Sequence, residues 1–168
     1  NASFRAIAAE LGCTVGVLTH YFPNREALMH LVLETVSDSI SQTFEAHRVR
    51  TIREFEALIA ELLPLDVQSR TLWRIWLSFA VAANGVPALV QNHSERYAQM
   101  IADIAKLLGA LRDDGLLAPD LDVENEAEVL VCLMDGVGVH GALMPARMTA
   151  TRQRSILKGY IDGLSARR

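Results

Sequence analysis

The chain has 168 residues, 51% of them hydrophobic, and a formal net charge of −4. Such a composition excludes a disordered polymer, and the charge excludes nucleic-acid binding through a bulk positive field. No uncharged apolar run reaches the about 18 residues of a membrane span, and the opening NASFRAIAAE lacks the basic-then-apolar pattern of a secretion signal.

The expectation is a globular, cytoplasmic protein, either one domain with a real core or one domain plus a small module. Cys13 and Cys132 lie far apart, both inside apolar helical patterns. They are expected to be buried free thiols in a reducing compartment. The first fifty residues set four arginines (Arg5, Arg25, Arg48, Arg50) against five acids (Glu10, Glu26, Glu34, Asp38, Glu45). Any contact with nucleic acid must therefore rest on local geometry.

In chain order, Ser3 can cap a short helix that offers Ile7, Ala8 and Leu11 to a core. Gly12 permits a sharp turn, and Cys13 is small enough to close it. Thr14 can cap a second helix, whose Leu18 and Phe22, four apart, form one buried stripe. Val15, Gly16, Thr19 and His20 fall on the opposite face. Val15, Gly16, Val17, Thr19 and His20 are all weak helix formers, so this segment has to be held helical by packing. Two short helices around a glycine turn make a helix-turn-helix. In that reading Gly16 lets the backbone approach a major groove and Val15 and Val17 meet thymine methyls. Thr19 and His20 donate or accept at base edges or phosphates. The same spacing also fits a solvated corner between two helices of an ordinary helical domain.

Pro23–Asn24 stops that helix and caps the next, expected over 24–47. Thr51 with Glu54 is a capping-box pattern opening a helix that Pro64 ends. Asp66 can cap a helix running to Asn84–Gly85. Its later half is apolar nearly all round, which predicts a path through the middle of the domain. Pro87 opens a long helix ending at Gly115, with one stripe of Tyr97, Met100, Ile101, Ile104, Leu107, Leu108 and Leu111. Asp122 caps a helix closed by Pro145, and Thr149 caps the last. Helix 122–143 carries two apolar stripes. One is Ala127, Leu130, Met134, Val137 and Gly141; the other is Val129, Leu133, Gly136, His140 and Leu143. One buried face is enough for a peripheral helix. The second implies a partner, and another copy of the same chain is the simplest one. The fold class expected is all-α.

At the residues IAAELGCTVGVLTHYFPNREAL the chain resembles the DNA-binding module of the TetR family of transcriptional repressors. Ile7, Ala8, Gly12, Thr14, Gly16, Leu18, Tyr21, Phe22, Asn24 and Leu28 match the family's pattern position by position. Cys13 stands where valine is usual, Arg25 where lysine is usual and Thr19 where tyrosine is usual. The resemblance implies that Thr14, Tyr21 and Arg25 hold phosphates, while Val15, Gly16, Val17, Thr19 and His20 face the groove. It also implies that the family's first helix is missing ahead of residue 1. Residues 45–168 resemble the BetI-type regulatory domain, most closely in LMDGVGVHGALMPARMTATRQRSILKGYIDGL. That resemblance implies a homodimer through helices at 122–143 and 150–165, and an effector cavity formed by the preceding helices.

The expected organisation is a helix-turn-helix module with its connecting helix over 1–46, followed by an effector-binding and dimerisation domain over 47–168. The expected function is a ligand-responsive repressor that binds a near-palindromic double-stranded operator as a dimer. The expected linkage is that effector binding shifts helix 24–47. Trp73, Trp76, Phe79, Tyr97, Met100, Met134 and Asp135, with Asn84 and His93 as further polar groups, are the candidate ligand-binding set. An apolar wall with a few polar groups suits a small molecule, and aromatic rings near an acid suit a cation. The resemblance adds choline-like amines as a ligand class.

The alternative is a small all-α enzyme or carrier indifferent to DNA, and a scaffold that has lost DNA binding is a third reading. No catalytic constellation supports an enzyme, and no cofactor or metal is expected. Gly136-x-Gly138-x-x-Gly141 mimics a dinucleotide fingerprint, but no strand precedes it, and small residues for close packing across a dimer explain it better. His30 and Glu34, four apart, have no third ligand in view and read as a solvated pair. His140 reads as a core or interface histidine.

Overall fold

The computed structural model describes residues 4–10, 12–83 and 87–166. Ser3, Leu11, Asn84 and Gly85 lie outside the described residues, as do the side chains of Ile7, Arg25 and Phe79. Among the described residues there are eight helices and no strand: α1 (Phe4–Glu10), α2 (Val15–Tyr21), α3 (Arg25–Ala46), α4 (Ile52–Glu61), α5 (Val67–Ala83), α6 (Pro87–Asp113), α7 (Val123–Leu143) and α8 (Ala150–Ala166). The all-α expectation is met. The chain divides into two compact units, Asn1–Ser39 and Ile40–Arg168, with the boundary inside α3.

In the first unit the turn after α1 is set by Gly12, whose φ of 65° lies in the left-handed region. The amide of Cys13 donates to Ala8 O at 2.9 Å and that of Gly12 to Ala9 O at 3.3 Å, a paired closure of the helix end. Thr14 then caps α2, accepting from the Val17 amide at 3.4 Å. Ala8 and Leu18 are buried between the two helices. The Phe22 amide closes α2 on Leu18 O at 2.8 Å, and Asn24 Oδ1 accepts from the Ala27 amide at 2.8 Å to begin α3. Cys13 is only half-buried, because the turn places it at the rim of this small contact.

In the second unit the helix starts follow their caps. Glu54 Oε2 accepts from the Arg50 and Thr51 amides at 2.8 and 3.0 Å, while Thr51 Oγ1 accepts from Glu54 N at 3.2 Å. Those backbone hydrogen bonds hold the Glu54 carboxyl below its usual range. Asp66 Oδ1 and Ser69 Oγ exchange the equivalent bonds with each other's amides at α5. Asp122 caps α7 through Asn125 N at 3.1 Å, and Thr149 caps α8 through Arg152 N at 3.3 Å. Gly115, with φ of 73°, ends α6 in the manner of Gly12. The core is built from Phe55, Leu58, Ile59, Leu63, Ile104, Leu108, Leu111, Leu130, Leu157, Ile161 and Leu164. Each of these side chains stabilises the fold by about 1.5–3 kcal/mol.

The central helix is α7, which packs against α5, α6 and α8. The expectation that α5 runs through the middle is corrected. None of its described residues joins the buried core, and Leu72, Ile75 and Val81 are exposed. A periodicity measures how much apolar surface a helix carries; small residues decide which helix others can surround. Those sit on α7, where Ala127, Gly138, Gly141 and Ala142 are buried. The α8–α7 contact is pinned at its other end by the Tyr160 hydroxyl, 2.5 Å from Glu126 Oε2.

Candidate nucleic-acid interface and ligand site

The seven residues of α2 bury one side chain, Leu18. With about 100° between successive residues, Gly16 and His20 lie diametrically opposite it. Val15 and Thr19 flank that line on one side, Val17 and Tyr21 on the other. All six are exposed: Val15 by 38%, Val17 by 46% and Tyr21 by 71%. His20 and Tyr21 meet edge to face, ring centroids 5.1 Å apart. The seven described residues expected at a DNA surface, Thr14, Val15, Gly16, Val17, Thr19, His20 and Tyr21, are thus on one short exposed helix and its cap. The Arg25 side chain lies outside the described residues. A Cβ on Gly16 would meet only Thr14 Oγ1, at 3.7 Å, so nothing within the chain requires a glycine there.

Thr19 turns its hydroxyl inward. Its hydroxyl donates back into the helix, 3.2 Å from both Val15 O and Gly16 O. The donor expected at a base edge is therefore engaged, as happens when a threonine sits within a helix turn.

In the second unit, α5, α6 and α7 bring an aromatic group and an acid together. The Trp73 and Trp76 rings meet edge to face at 5.3 Å. Trp76 lies 6.0 Å from the His93 ring and 6.4 Å from Tyr97, and His93 and Tyr97 are 4.7 Å apart. The Tyr97 hydroxyl donates to Asp135 Oδ2 at 2.8 Å. All five side chains are half-buried. Burial pushes the Asp135 carboxyl above its usual range, opposed by the Tyr97 hydrogen bond and the nearby His93. Burial also pushes Tyr97 upward, reinforced by the charge of Asp135, and pushes His93 downward. The site is an aromatic wall with one carboxyl whose charge is poorly solvated.

Trp73 owes its position to two features the sequence did not flag. Its indole N–H donates to Leu62 O at 2.9 Å. Its ring lies where a Cβ on Gly138 would be, overlapping Cη2 and Cζ3. Gly141 likewise makes room for Gln153 and Pro64. The buried Gln153 amide donates to Pro64 O at 3.2 Å and Met148 O at 3.0 Å. The assignment of all three glycines to packing across a dimer is therefore corrected. Gly138 and Gly141 seat side chains of their own chain; only Gly136 is exposed, with nothing within 4 Å of a Cβ built on it. The i,i+3 spacing of Asp135 and Gly138 and the i,i+4 spacing of His93 and Tyr97 were the available signals.

Of the candidate ligand set, Trp73, Trp76, Tyr97 and Asp135 come together with His93. Met134 is buried in the core, and Met100 packs against it. The Phe79 side chain lies outside the described residues. The second stripe of α7 stays open in one chain: Val129 and Leu143 are exposed by 43% and 59%, Gly136 and His140 are exposed, and Leu133 is half-buried. Cys132 lies on this open face too, so its expected burial is corrected; α7 turns it away from the aliphatic core. His30 Nδ1 and Glu34 Oε1 are 3.4 Å apart on an open face, and no cluster of three metal-ligating side chains occurs among the described residues. Nor is any described helix long and apolar enough to cross a membrane. A surface groove of about 510 Å³ beside α4 and α8 sets Arg53, Arg154 and Lys158 against Glu56 and Asp162, with no aromatic ring.

Residues 51–166 match the family described as BetI-type transcriptional repressor, C-terminal, and residues 1–32 match bacterial regulatory proteins, tetR family. The HTH-type transcriptional regulator PksA of Bacillus subtilis is 25% identical over 168 residues, covering 98% of this chain and 80% of that protein. A transcriptional regulator from Rhodococcus sp. Rha1 has the same fold with a TM-score of 0.83, at 22% identity over 97% of this chain and 84% of its own. A structure from Saccharomonospora viridis in complex with choline superposes with a TM-score of 0.78, at 23% identity over 95% of this chain and 84% of its own.

Proposed function

This chain belongs to the TetR family of bacterial regulatory proteins, with the C-terminal region of the BetI-type repressors, and on that premise we propose that it is a homodimeric repressor released or recruited by a small cation. The observation that carries the DNA half is α2, a helix with one buried side chain and every other face offered outward. Residues 1–46 would engage DNA. Val15, Gly16, Val17, Thr19 and His20 would face the major groove, and Thr14, Tyr21 and Arg25 would hold phosphates. Two such helices in a two-fold dimer would sit about 34–36 Å apart and read a near-palindromic operator in the cytoplasm.

Residues 47–168 would bind the effector and dimerise. The open row Val129, Leu133, Gly136 and Leu143 on α7, with Gly159 on α8 free of neighbours, supports an interface built from these two helices. For the effector, the rings of Trp73, Trp76 and Tyr97 around Asp135 favour a quaternary or protonated amine, held by cation–π attraction and one carboxylate. The choline complex of the S. viridis relative supports the same class. Since α3 belongs to both units, it is the covalent route by which occupancy would reach α2. A differential affinity of about 1–3 kcal/mol is enough to do so.

The test is a gel shift of the full chain, at low salt, with DNA upstream of its own operon. A retarded band that a quaternary amine alters is expected, and its absence would overturn the proposal. Alanine at Tyr21 or Arg25 should weaken binding to all sequences alike, whereas alanine at His20 or Val15 should change which sequence is preferred. If all four variants behave alike, the division between phosphate and base contacts is wrong.

A further inference from the structure

Helix α2 is unusual in what it lacks. Its sequence, VGVLTHY, contains no arginine, lysine, asparagine or glutamine, the side chains that read guanine and adenine by paired hydrogen bonds. The hydroxyl of Thr19, on one flank of the exposed face, is turned inward to Val15 O and Gly16 O. With the oxygen held against the helix, the remaining outward group of Thr19 is its methyl. Val15, one turn earlier on the same flank, adds two more methyls, and Val17 adds two on the other flank. Gly16, between these flanks, adds no side chain of its own. The exposed face is thus a collar of branched methyl groups around a glycine gap and a single imidazole.

We infer that this surface reads the 5-methyl groups of thymine in the major groove, with Val15, Val17 and Thr19 as the specificity-determining residues and the Thr19 hydroxyl taking no part in base recognition. The inference rests on the proposed DNA-binding function and names what that surface recognises. The chemistry is apolar contact: the thymine 5-methyl is the one methyl group on the major-groove edge of the four bases, and burying it against a valine or threonine methyl removes both from water. The collar therefore selects T over C at a pyrimidine position by apolar burial, whereas paired amide or guanidinium readers select purines.

The experiment starts from a random duplex pool enriched on the full chain. In the enriched operator each thymine is then replaced singly by deoxyuridine, which removes the methyl and keeps every hydrogen-bonding atom. At one or more positions of each half-site the affinity should fall about fourfold, the effect of losing one buried carbon. Thr19→Val keeps the methyl and loses the hydroxyl, and should still distinguish thymine from deoxyuridine at its position. Thr19→Ser keeps the hydroxyl and loses the methyl; it should bind about fourfold more weakly and no longer distinguish thymine from deoxyuridine at its position. Circular dichroism melting of both variants checks that the helix is intact. Operators that bind equally well with deoxyuridine throughout would overturn the inference, as would Thr19→Ser binding normally while Thr19→Val does not. A pool that yields no enriched duplex would overturn the repressor reading and this one with it.

Discussion

Gly16 carries information because its own chain does not need it. Ordinary van der Waals distance to Thr14 Oγ1 is all that a Cβ would meet. Gly16→Ala should leave the melting temperature unchanged or raise it slightly, since alanine is favoured over glycine in a helix by roughly 0.5–1 kcal/mol. The same variant should lose at least about tenfold in operator affinity, because the added methyl stands where a base or sugar must approach. Unchanged DNA affinity would remove the close approach from the argument. Asp135 is the other informative residue. A cation needs its charged form, and burial has raised its pKa. Binding of a quaternary amine should therefore weaken as pH falls through that raised value, at a higher pH than for an exposed carboxylate. His93, on the same side, gains its proton only below its usual range and would then repel the cation in the same direction. Tyr97 donates the hydrogen bond that holds the carboxylate down, so Tyr97→Phe should move the loss to still higher pH. Linkage gives the matching sign for stability: a folded pKa above the unfolded one means that the empty protein loses this carboxyl's contribution as pH rises through it. A bound cation should offset that loss. Calorimetric titration across pH reads the binding effect, and melting with and without the amine reads the stability effect.

At the scale of one element, α7 presents one face to the core and leaves the other open in the single chain. Its inner stripe of Ala127, Leu130, Met134 and Val137 is buried, and Gly138 holds the Trp73 ring against the helix. Its outer stripe is open in the single chain. Glycines on the two faces should respond differently to one added carbon. Gly138→Ala forces Trp73 off its seat and off Leu62 O. It should cost about 1–3 kcal/mol, lower Tm by roughly 2–10 °C, and weaken amine binding. Gly136→Ala has open space on its own chain. It should leave amine binding intact and shift the monomer–dimer equilibrium in sedimentation. If Gly136→Ala changes neither the equilibrium nor DNA binding, α7 does not form the dimer contact in the place proposed.

At the scale of the whole molecule, effector and operator act on one chain through one free energy. If an amine weakens operator binding by some factor, the operator must weaken amine binding by the same factor. A coupling of about 1–3 kcal/mol corresponds to roughly 5–150-fold. Titrating the amine with and without a saturating operator duplex measures it, and equal amine affinity in both conditions would dissociate the aromatic site from regulation. The net charge of −4 adds a second constraint. It gives no bulk positive field, so recognition of DNA should rest on the local geometry and apolar surface of α2.

What the amino-acid sequence determined by itself was the order and type of the helices. Caps at Thr14, Asn24, Thr51, Asp66, Asp122 and Thr149 and the left-handed turns at Gly12 and Gly115 are local hydrogen-bonding and backbone facts, legible at a range of three to five residues. The exposed character of α2 was legible as well, because Leu18 and Phe22 give it one narrow apolar stripe and leave its other faces without apolar packing partners. Tertiary structure alone decided the rest. It placed α7 and not α5 at the centre, because small residues decide which helix can be approached from several sides. It turned Cys132 outward and gave Gly138 to Trp73 and Gly141 to Gln153 and Pro64. It closed the Thr19 hydroxyl onto Val15 O and Gly16 O, and it joined Tyr97 to Asp135 across 38 positions of chain. Apart from the Thr19 hydroxyl bond, which is local and turned on a choice of rotamer, these depend on groups brought together from distant parts of the chain, which no periodicity encodes.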